Sequence, residues 1–184
     1  MSRYQLTKTV VMIGMMGAGK TAVGTALAEL IDVPFIDSDA QIVQAANQTI
    51  PEIFDAFGEA FFRDKESLVL KRLLDGPPSV LSTGGGAYLQ KTNREMIAAQ
   101  GLAVWLKVDR DLLWARVRHK DTRPLLRVAD PKARLFELLG ERAPYYRQAG
   151  LVVDADPNYS VQDMADKVLK QLLNHPMNIL RKIA

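Results

Sequence analysis

Residues 9–21 read TVVMIGMMGAGKT, and this stretch decides the fold. It opens with a short apolar run rich in β-branched residues, which is typical of a buried strand. Residues 14–21 then match the pattern G-x-x-x-x-G-K-[ST] in full. Such a loop turns tightly, so that its backbone N–H groups and the following helix N-terminus converge on phosphate oxygens. We expect Lys20 to reach the terminal phosphates and the Thr21 hydroxyl to bind magnesium, which makes this segment a predicted nucleoside triphosphate site.

Apolar strands alternate with helical patterns along the rest of the chain. Besides residues 9–13, strands are predicted at 34–36, 79–82, 102–108 and 151–153. Helices are predicted after the glycine-rich loop, from about 40 to 74 with breaks near 49–51 and 58, and over 92–99, 111–118, 131–147 and 161–173. This alternation predicts an α/β fold, with a parallel sheet covered on both faces and ligands bound beyond the carboxyl ends of its strands.

Composition excludes several classes of protein. The 184 residues suit one domain, and no linker divides them. The absence of cysteine rules out disulfides and thiolate metal sites, and the wide separation of His119 and His175 argues against a histidine zinc site. A net charge of +3 does not require nucleic acid as a partner. No apolar run reaches the ~18 residues of a membrane span and no signal peptide core is present, so we expect a cytoplasmic protein.

Two aspartates flank a serine, as Asp37-Ser38-Asp39, directly after the second predicted strand. Residues two apart in an extended segment share a side, so both carboxylates can face the sheet's carboxyl edge. One can hold magnesium through water, and the other can orient a substrate hydroxyl or accept its proton. The alternative is helix capping, in which Ser38 and Gln41 form a capping box, although capping does not require both aspartates.

Three consecutive glycines, Gly84, Gly85 and Gly86, end the third predicted strand after Thr83. Without side chains, this segment would let a substrate approach the backbone N–H groups closely. A plain turn is the alternative interpretation.

Two arginines become candidate site residues only when they are considered together with these motifs. Arg63 precedes Glu66 by three positions on a predicted helix, and such spacing is typical of a surface ion pair worth about 0.2–0.5 kcal/mol. Arg142 lies two residues before Pro144, where we expect the helix to kink or stop.

A basic region surrounds residues 119–130, with Arg116, Arg118, Lys120, Arg123 and Arg127. It could be a solvated loop. It could equally be a mobile lid that closes over ATP and delivers an arginine to the transferring phosphoryl group.

Together these segments resemble the shikimate kinase family. The matching residues are 14–21, 37–39, Phe62-Arg63 with Glu66, 84–86, 123–126, and Glu141-Arg142 with Pro144, Tyr145 and Arg147, in order and spacing from about residue 10 to 173. The resemblance implies a three-layer α/β/α P-loop kinase with a five-stranded parallel sheet. It also implies one domain over residues 1–184, with a core at about 9–173, a substrate-binding region at about 38–75 and a lid at about 119–130. The tail, residues 174–184, lies outside the resemblance and is expected to be a short basic appendage.

The resemblance also implies an activity and a set of site residues. The activity is transfer of the γ-phosphate of ATP to the 3-hydroxyl of shikimate, with Mg²⁺, in aromatic amino acid biosynthesis. The implied enzyme is a cytoplasmic monomer that needs no nucleic acid, membrane or protein partner. Nucleotide contacts are implied for Gly14, Gly17, Ala18, Gly19, Lys20, Thr21, Ala22, Arg116, Arg123, Asp156 and Pro157. Substrate contacts are implied for Asp39, Phe54, Phe62, Arg63, Gly84, Gly85, Gly86 and Arg142, with the carboxylate on the two arginines. Thr21 and Asp37 belong with the metal, and Lys20, Asp39 and Arg123 are the implied catalytic residues.

Two other functional interpretations of the sequence are possible. A gluconate or nucleoside monophosphate kinase would share the P-loop, but the twin aspartates, the glycine triplet and the two arginines argue against it. A P-loop switch or regulatory binding module is the other alternative. A GTPase would carry an Asn-Lys-x-Asp motif, which this sequence lacks, and a binding module would be expected to have lost Asp39 or one of the arginines.

Overall fold

The computed structural model describes residues 3–120 and 124–183. Its strands are β1 (Tyr4–Leu6), β2 (Thr9–Ile13), β3 (Phe35–Asp37), β4 (Val80–Ser82), β5 (Gly101–Lys107), β6 (Leu151–Asp154) and β7 (Leu180–Lys182). Its α-helices are α1 (Lys20–Ile31), α2 (Ser38–Ala46), α3 (Ile50–Leu74), α4 (Lys91–Gln100), α5 (Arg110–Val117), α6 (Pro131–Tyr146) and α7 (Val161–Leu173). Short 3₁₀ turns cover Ala87–Leu89 and Pro124–Leu126.

A parallel sheet with the strand order β3-β4-β2-β5-β6 forms the centre of the molecule. The strand before the glycine-rich loop, β2, is the middle strand, and all five of its residues are buried. Helices α1 and α7 pack together, while α4 packs on β5 and α3 in a three-layer α/β/α arrangement. The predicted five-stranded parallel sheet is confirmed. Since β2 is central, it carries the glycine-rich loop to the middle of the sheet's carboxyl edge, where ligands bind in such folds.

The breaks predicted in the long helical region lie where expected. Helix α2 ends at Ala46, and α3 begins behind a capping box in which Thr49 and Glu52 satisfy each other's backbone N–H groups. Gly58 interrupts α3 with φ 81° and ψ 172°, a conformation open essentially only to glycine. A small apolar cluster of Ile42, Ile53 and Phe62 joins α2 to both parts of α3. This region is therefore a cap with its own core beside the sheet.

Two details of the helix ends differ from expectation. Asp37, rather than Ser38, is the N-cap of α2, and its side chain accepts hydrogen bonds from the backbone N–H groups of Asp39 and Ala40. Ser38 is instead the first helical residue and is buried, so the alternative interpretation, a Ser38–Gln41 capping box, is wrong. Helix α6 does not stop at Arg142 itself but continues past Pro144 to Tyr146, close to the end of the helix predicted over residues 131–147.

The chain termini form a second sheet that was not predicted. Strand β7, in the segment expected to be an appendage, pairs antiparallel with β1. Ile179 and Leu180 are buried in the main apolar core beside Leu6. Strands β1 and β7 read YQL and LRK, so they lack the apolar run by which the equally short β3 and β4 were recognised. Within the described ranges, no helix has the length and apolar character needed to cross a bilayer.

Candidate active site

A cleft of about 1080 Å³ opens at the carboxyl ends of β2, β3 and β4. It brings together most of the predicted site residues, namely Gly17, Ala18, Gly19, Lys20, Thr21, Ala22, Asp37, Asp39, Phe54, Phe62, Arg63, Gly84, Gly85, Gly86, Arg116 and Arg142. Gly14, Asp156 and Pro157 are not among its lining residues. Arg123, the predicted lid arginine, lies outside the described residues.

The glycine-rich loop has a backbone that only glycine supports without strain. Gly14, Gly17 and Gly19 have φ values of 142°, 78° and 95°. A Cβ atom on Gly17 would lie 2.5 Å from Cγ1 of Val117, so the close approach of α5 also excludes a side chain there. The Lys20 ammonium donates to the carbonyl oxygens of Gly14 at 2.8 Å and Met15 at 3.0 Å. These bonds hold the amine over the loop, where it can turn to phosphate oxygens.

Arg116 connects α5 to the same loop. Its guanidinium donates to the carbonyl oxygens of Gly17 and Ala18, each at 3.3 Å. The positive charge therefore lies directly behind the predicted phosphate site, where it favours anion binding.

The two aspartates have different surroundings, and these suit different tasks. Asp37 caps α2 with one carboxylate oxygen, which accepts from Asp39 N at 2.9 Å and from Ala40 N at 3.2 Å. Asp39 points into the cleft, and its Oδ1 is buried without a hydrogen-bond partner among the described residues. Burial, reinforced by the charge of Asp37, raises the pKa of Asp39, while the cations Lys20 and Arg63 oppose that rise. A carboxylate of this kind can accept a hydrogen bond or a proton from a substrate hydroxyl.

Charged side chains occupy the space that side chains on the glycine triplet would fill. A Cβ on Gly84 would lie 3.0 Å from Oδ1 of Asp39, and one on Gly85 would lie 2.7 Å from Nη1 of Arg142. A Cβ on Gly86 would lie 2.5 Å from Nη2 of Arg63. The three glycines therefore form a bare surface on which one acid and two cations converge.

Arg63 is held by a buried acid in addition to the exposed Glu59, whose Oε1 accepts from Nη2 of Arg63 at 3.4 Å. Its Nη1 donates to Oε2 of Glu66 at 2.8 Å, and the Glu66 side chain is only 2% exposed. Burial raises the pKa of Glu66, and the guanidinium of Arg63 counteracts that shift. The rings of Phe54 and Phe62 lie 4.7 Å apart, with the guanidinium 5.2 Å from the Phe62 ring centre. The expected surface pair is thus a partly buried one that fixes the direction of the arginine.

Arg142 reaches the cleft from α6 and is 9% exposed. One helical turn later, the hydroxyl of Tyr146 donates to the carbonyl oxygen of Gly85 at 2.7 Å. Arg142 and Arg63 therefore approach neighbouring glycines from different helices. Two guanidinium groups that face neighbouring glycines can together bind one carboxylate by charge-assisted hydrogen bonds.

Some residues at or beside the cleft were not given a role from the sequence. Glu66 was noted only as a partner of Arg63. Tyr146, which lies beside the cleft, follows Arg142 by four positions, a spacing that was the available signal. The far wall consists of Ala155, Tyr159, Ser160, Val161 and Met164. Asp156 makes the turn before that wall, since it accepts from the backbone N–H groups of Asn158 and Tyr159.

Comparisons with known proteins agree with this geometry. The family model described as shikimate kinase matches residues 16–173. The shikimate kinase of Ruegeria pomeroyi is 61% identical over 167 residues, covering 91% of this chain and 86% of that protein. The shikimate kinase of Cereibacter sphaeroides is 58% identical over 172 residues, covering 94% of this chain and 86% of its own length. Among solved structures, shikimate kinase from Acinetobacter baumannii in complex with shikimate superposes with a TM-score of 0.86 at 38% identity, covering 93% of this chain and 96% of that one. This chain belongs to the shikimate kinase family.

Proposed function

We propose that the protein transfers the γ-phosphate of ATP to the 3-hydroxyl of shikimate, giving shikimate 3-phosphate and ADP on the route to chorismate and the aromatic amino acids. The observation that carries this proposal is the convergence of Arg63, Arg142 and Asp39 on the glycine triplet, in the same cleft as the phosphate loop. Shikimate carries a carboxylate for the two arginines and hydroxyls for the aspartate. This arrangement suits a hydroxylated carboxylate better than it suits a neutral sugar or a nucleotide.

The arginines act by positioning the acceptor. Each charge-assisted hydrogen bond to the substrate carboxylate contributes about 1.5–3 kcal/mol. With the carboxylate anchored beside Gly85 and Gly86, the ring is oriented so that a hydroxyl on its other side faces the phosphate loop. The phosphoryl acceptor is thereby held near the donor, and positioning of this kind supplies most of the catalysis in phosphoryl transfer.

Asp39 is proposed to receive the proton of the attacking hydroxyl or to orient that hydroxyl. Its buried Oδ1 atom lies against Gly84, on the substrate side of the phosphate loop. Because burial raises its pKa, this carboxylate is a better proton acceptor than an exposed aspartate. Lys20 is proposed to leave the loop carbonyls and neutralise charge on the transferring phosphoryl group.

The donor set fits magnesium. Thr21 offers a hydroxyl and Asp37 a carboxylate with one oxygen engaged in capping, and both line the cleft. Hard oxygen donors in this small number suit Mg²⁺, which retains several waters and takes its remaining ligands from phosphates. No cluster of three or more acidic or histidine side chains that could hold a metal occurs in the described ranges, which agrees with a metal bound largely by nucleotide. When bound, the ion neutralises charge on the β- and γ-phosphates.

The remaining assignments complete the proposal. Residues 1–184 act as one domain with its core at about 9–173, in which about 38–75 bind shikimate and about 119–130, including Arg123, close over ATP. Gly14 belongs to the phosphate loop, while Asp156 and Pro157 lie before the wall that would receive adenine. The enzyme is proposed to work as a cytoplasmic monomer, with ATP and shikimate as its only partners.

The test is ADP release by the purified protein with Mg-ATP, measured with and without shikimate and with gluconate and CMP as controls. The expected result is strong stimulation by shikimate alone. Asp39→Asn is the matched variant, since it keeps size and shape and should lower kcat by about 10²–10⁴-fold if the carboxylate acts as a base. Stimulation by gluconate or CMP, or no stimulation of a folded protein that binds ATP, would refute the proposal.

A further inference from the structure

Tyr146 is a fully buried tyrosine at the end of α6, one turn after Arg142. Its ring packs beside Trp105 of the central sheet, with 5.7 Å between ring centroids. Its hydroxyl donates to the carbonyl oxygen of Gly85 at 2.7 Å and lies 4.0 Å from Sδ of Met15. A single hydroxyl therefore stands between the glycine triplet and the phosphate loop. Burial raises the pKa of Tyr146, against the influence of Arg142, so the phenol keeps its proton.

The rest of the glycine segment is anchored at its two ends. The Thr83 hydroxyl donates to the carbonyl oxygen of Met12, and the buried Asn93 amide donates to that of Ala87 at 2.9 Å. Between these anchors, Tyr146 is the side chain that holds the carbonyl of Gly85. The carbonyl oxygens of Gly84 and Gly86 accept from the backbone N–H groups of Ala87 at 3.2 Å and Leu89 at 3.1 Å, so Tyr146 supplies the matching restraint for the glycine between them.

We infer that Tyr146 is a positioning residue that fixes Gly85, and through Gly85 the guanidinium of Arg142, for recognition of the substrate carboxylate. The inference rests on the proposed function. Arg142 lies directly on Gly85, since a Cβ added there would be 2.7 Å from its Nη1. Arg142 is itself buried, so it has little room to compensate if the backbone beneath it shifts. Loss of the phenol hydroxyl would therefore misplace one of the two groups that grip the carboxylate.

The first test is the steady-state kinetics of Tyr146→Phe, which keeps the ring and removes the hydrogen bond. We expect the KM for shikimate to rise about three- to tenfold, corresponding to one neutral hydrogen bond, while kcat and the KM for ATP change less than about twofold. A purely structural role would lower the folded fraction, and hence the apparent kcat, while leaving the KM for shikimate unchanged. The matched control is Tyr145→Phe, because this neighbouring tyrosine is 39% exposed and keeps its ring under Arg94. We expect it to behave as wild type.

The second test needs no substrate. Amide hydrogen exchange in the free protein should be about three- to tenfold faster in Tyr146→Phe for the segment of residues 84–89, and unchanged in α7. Equal exchange in this segment, or an unchanged KM for shikimate, would overturn the inference. Failure of the proposed function would look different, since the wild-type protein itself would then show no turnover of shikimate.

Discussion

Gly86→Ala tests whether the glycine triplet exists to make room for the arginines. Gly86 has φ −91° and ψ −15°, a conformation that alanine adopts freely, so the substitution strains no backbone torsion. Its Cβ would instead lie 2.5–2.8 Å from three atoms of the Arg63 guanidinium. Van der Waals contact requires about 3.5 Å, and the guanidinium must therefore move by about 1 Å.

A shift of that size changes how Arg63 meets Glu66 and the proposed substrate. The bond to Glu66 is 2.8 Å long, and a displacement of about 1 Å directed away from Glu66 would exceed hydrogen-bond range. Leaving the buried carboxyl of Glu66 without its partner costs about 1–3 kcal/mol of stability. Loss of one charge-assisted bond to shikimate costs about 1.5–3 kcal/mol, which corresponds to a rise of about 10- to 150-fold in the KM for shikimate.

Steady-state kinetics with each substrate varied, together with urea unfolding, separate these effects. We expect the KM for shikimate to rise as stated, with the KM for ATP unchanged because the phosphate loop is not touched. Gly140→Ala is the matched control, since this glycine lies exposed in α6 and no described atom comes within 4 Å of an added Cβ. It should leave both KM values unchanged and stabilise the protein by about 0.5–1 kcal/mol. An unchanged KM for shikimate in Gly86→Ala would refute the packing argument.

Four further substitutions probe other parts of the molecule. Arg142→Ala should weaken shikimate binding by about 10- to 150-fold in calorimetry and spare ATP, and equal loss of both affinities would count against its carboxylate role. Because burial raises the pKa of Asp39, the native state binds more protons than the unfolded chain, so this group's contribution to stability declines as pH rises from its ordinary pKa through the raised one. Asp39→Asn should therefore raise the Tm at pH 8 while it strongly lowers kcat. A lower Tm would contradict the predicted direction of the effect on stability. Gly58→Ala should lower the free energy of unfolding in urea by about 1–3 kcal/mol. The cause is backbone strain at its positive φ and not a steric clash, since no described atom lies within 4 Å of the added Cβ. Ile179→Ala should lower the free energy of unfolding by about 2–5 kcal/mol in the same assay, because Ile179 is buried in the core. A negligible loss would show that the terminal sheet does not contribute to the core.

The sheet and the phosphate loop could be predicted because their signals are local. The glycine pattern requires a strand before it and a helix after it, and the apolar runs that became β2, β4 and β5 have the composition of buried strands. The breaks in the long helical region were readable from Thr49-Ile50-Pro51 and from Gly58. In each case the residues that determine the conformation lie within a few positions of it.

The missed features depend on contacts between distant parts of the chain. Ser38 has the chemistry of an N-cap, but β3 extends to Asp37, and this leaves the aspartate in the capping position. The triplet was interpreted as bare backbone that a substrate can approach, which stays a prediction, but the sequence did not show that its glycines also accommodate side chains from α2, α3 and α6. No short-range pattern encodes such an approach. The pairing of β1 with β7 joins the two ends of the chain and was unreadable for the same reason.

The cleft is arranged at the expense of its own stability. Asp39 and Glu66 each have a buried oxygen, Oδ1 and Oε1, that finds no hydrogen-bond donor within the described part of the chain. Burial raises the pKa of both carboxyls, and the negative charge of Asp39 raises the pKa of Glu66 further because like charges repel. Arg63 stands between them as the shared cation, with its bond to Glu66 and its charge beside Asp39. A ligand hydroxyl that donates to Asp39 would give its buried carboxylate oxygen a hydrogen-bond partner. A carboxylate on the same ligand would accept hydrogen bonds from the remaining N–H groups of Arg63. Selectivity for a molecule that carries both groups then follows, because a ligand with only one of them leaves a buried charge without a partner.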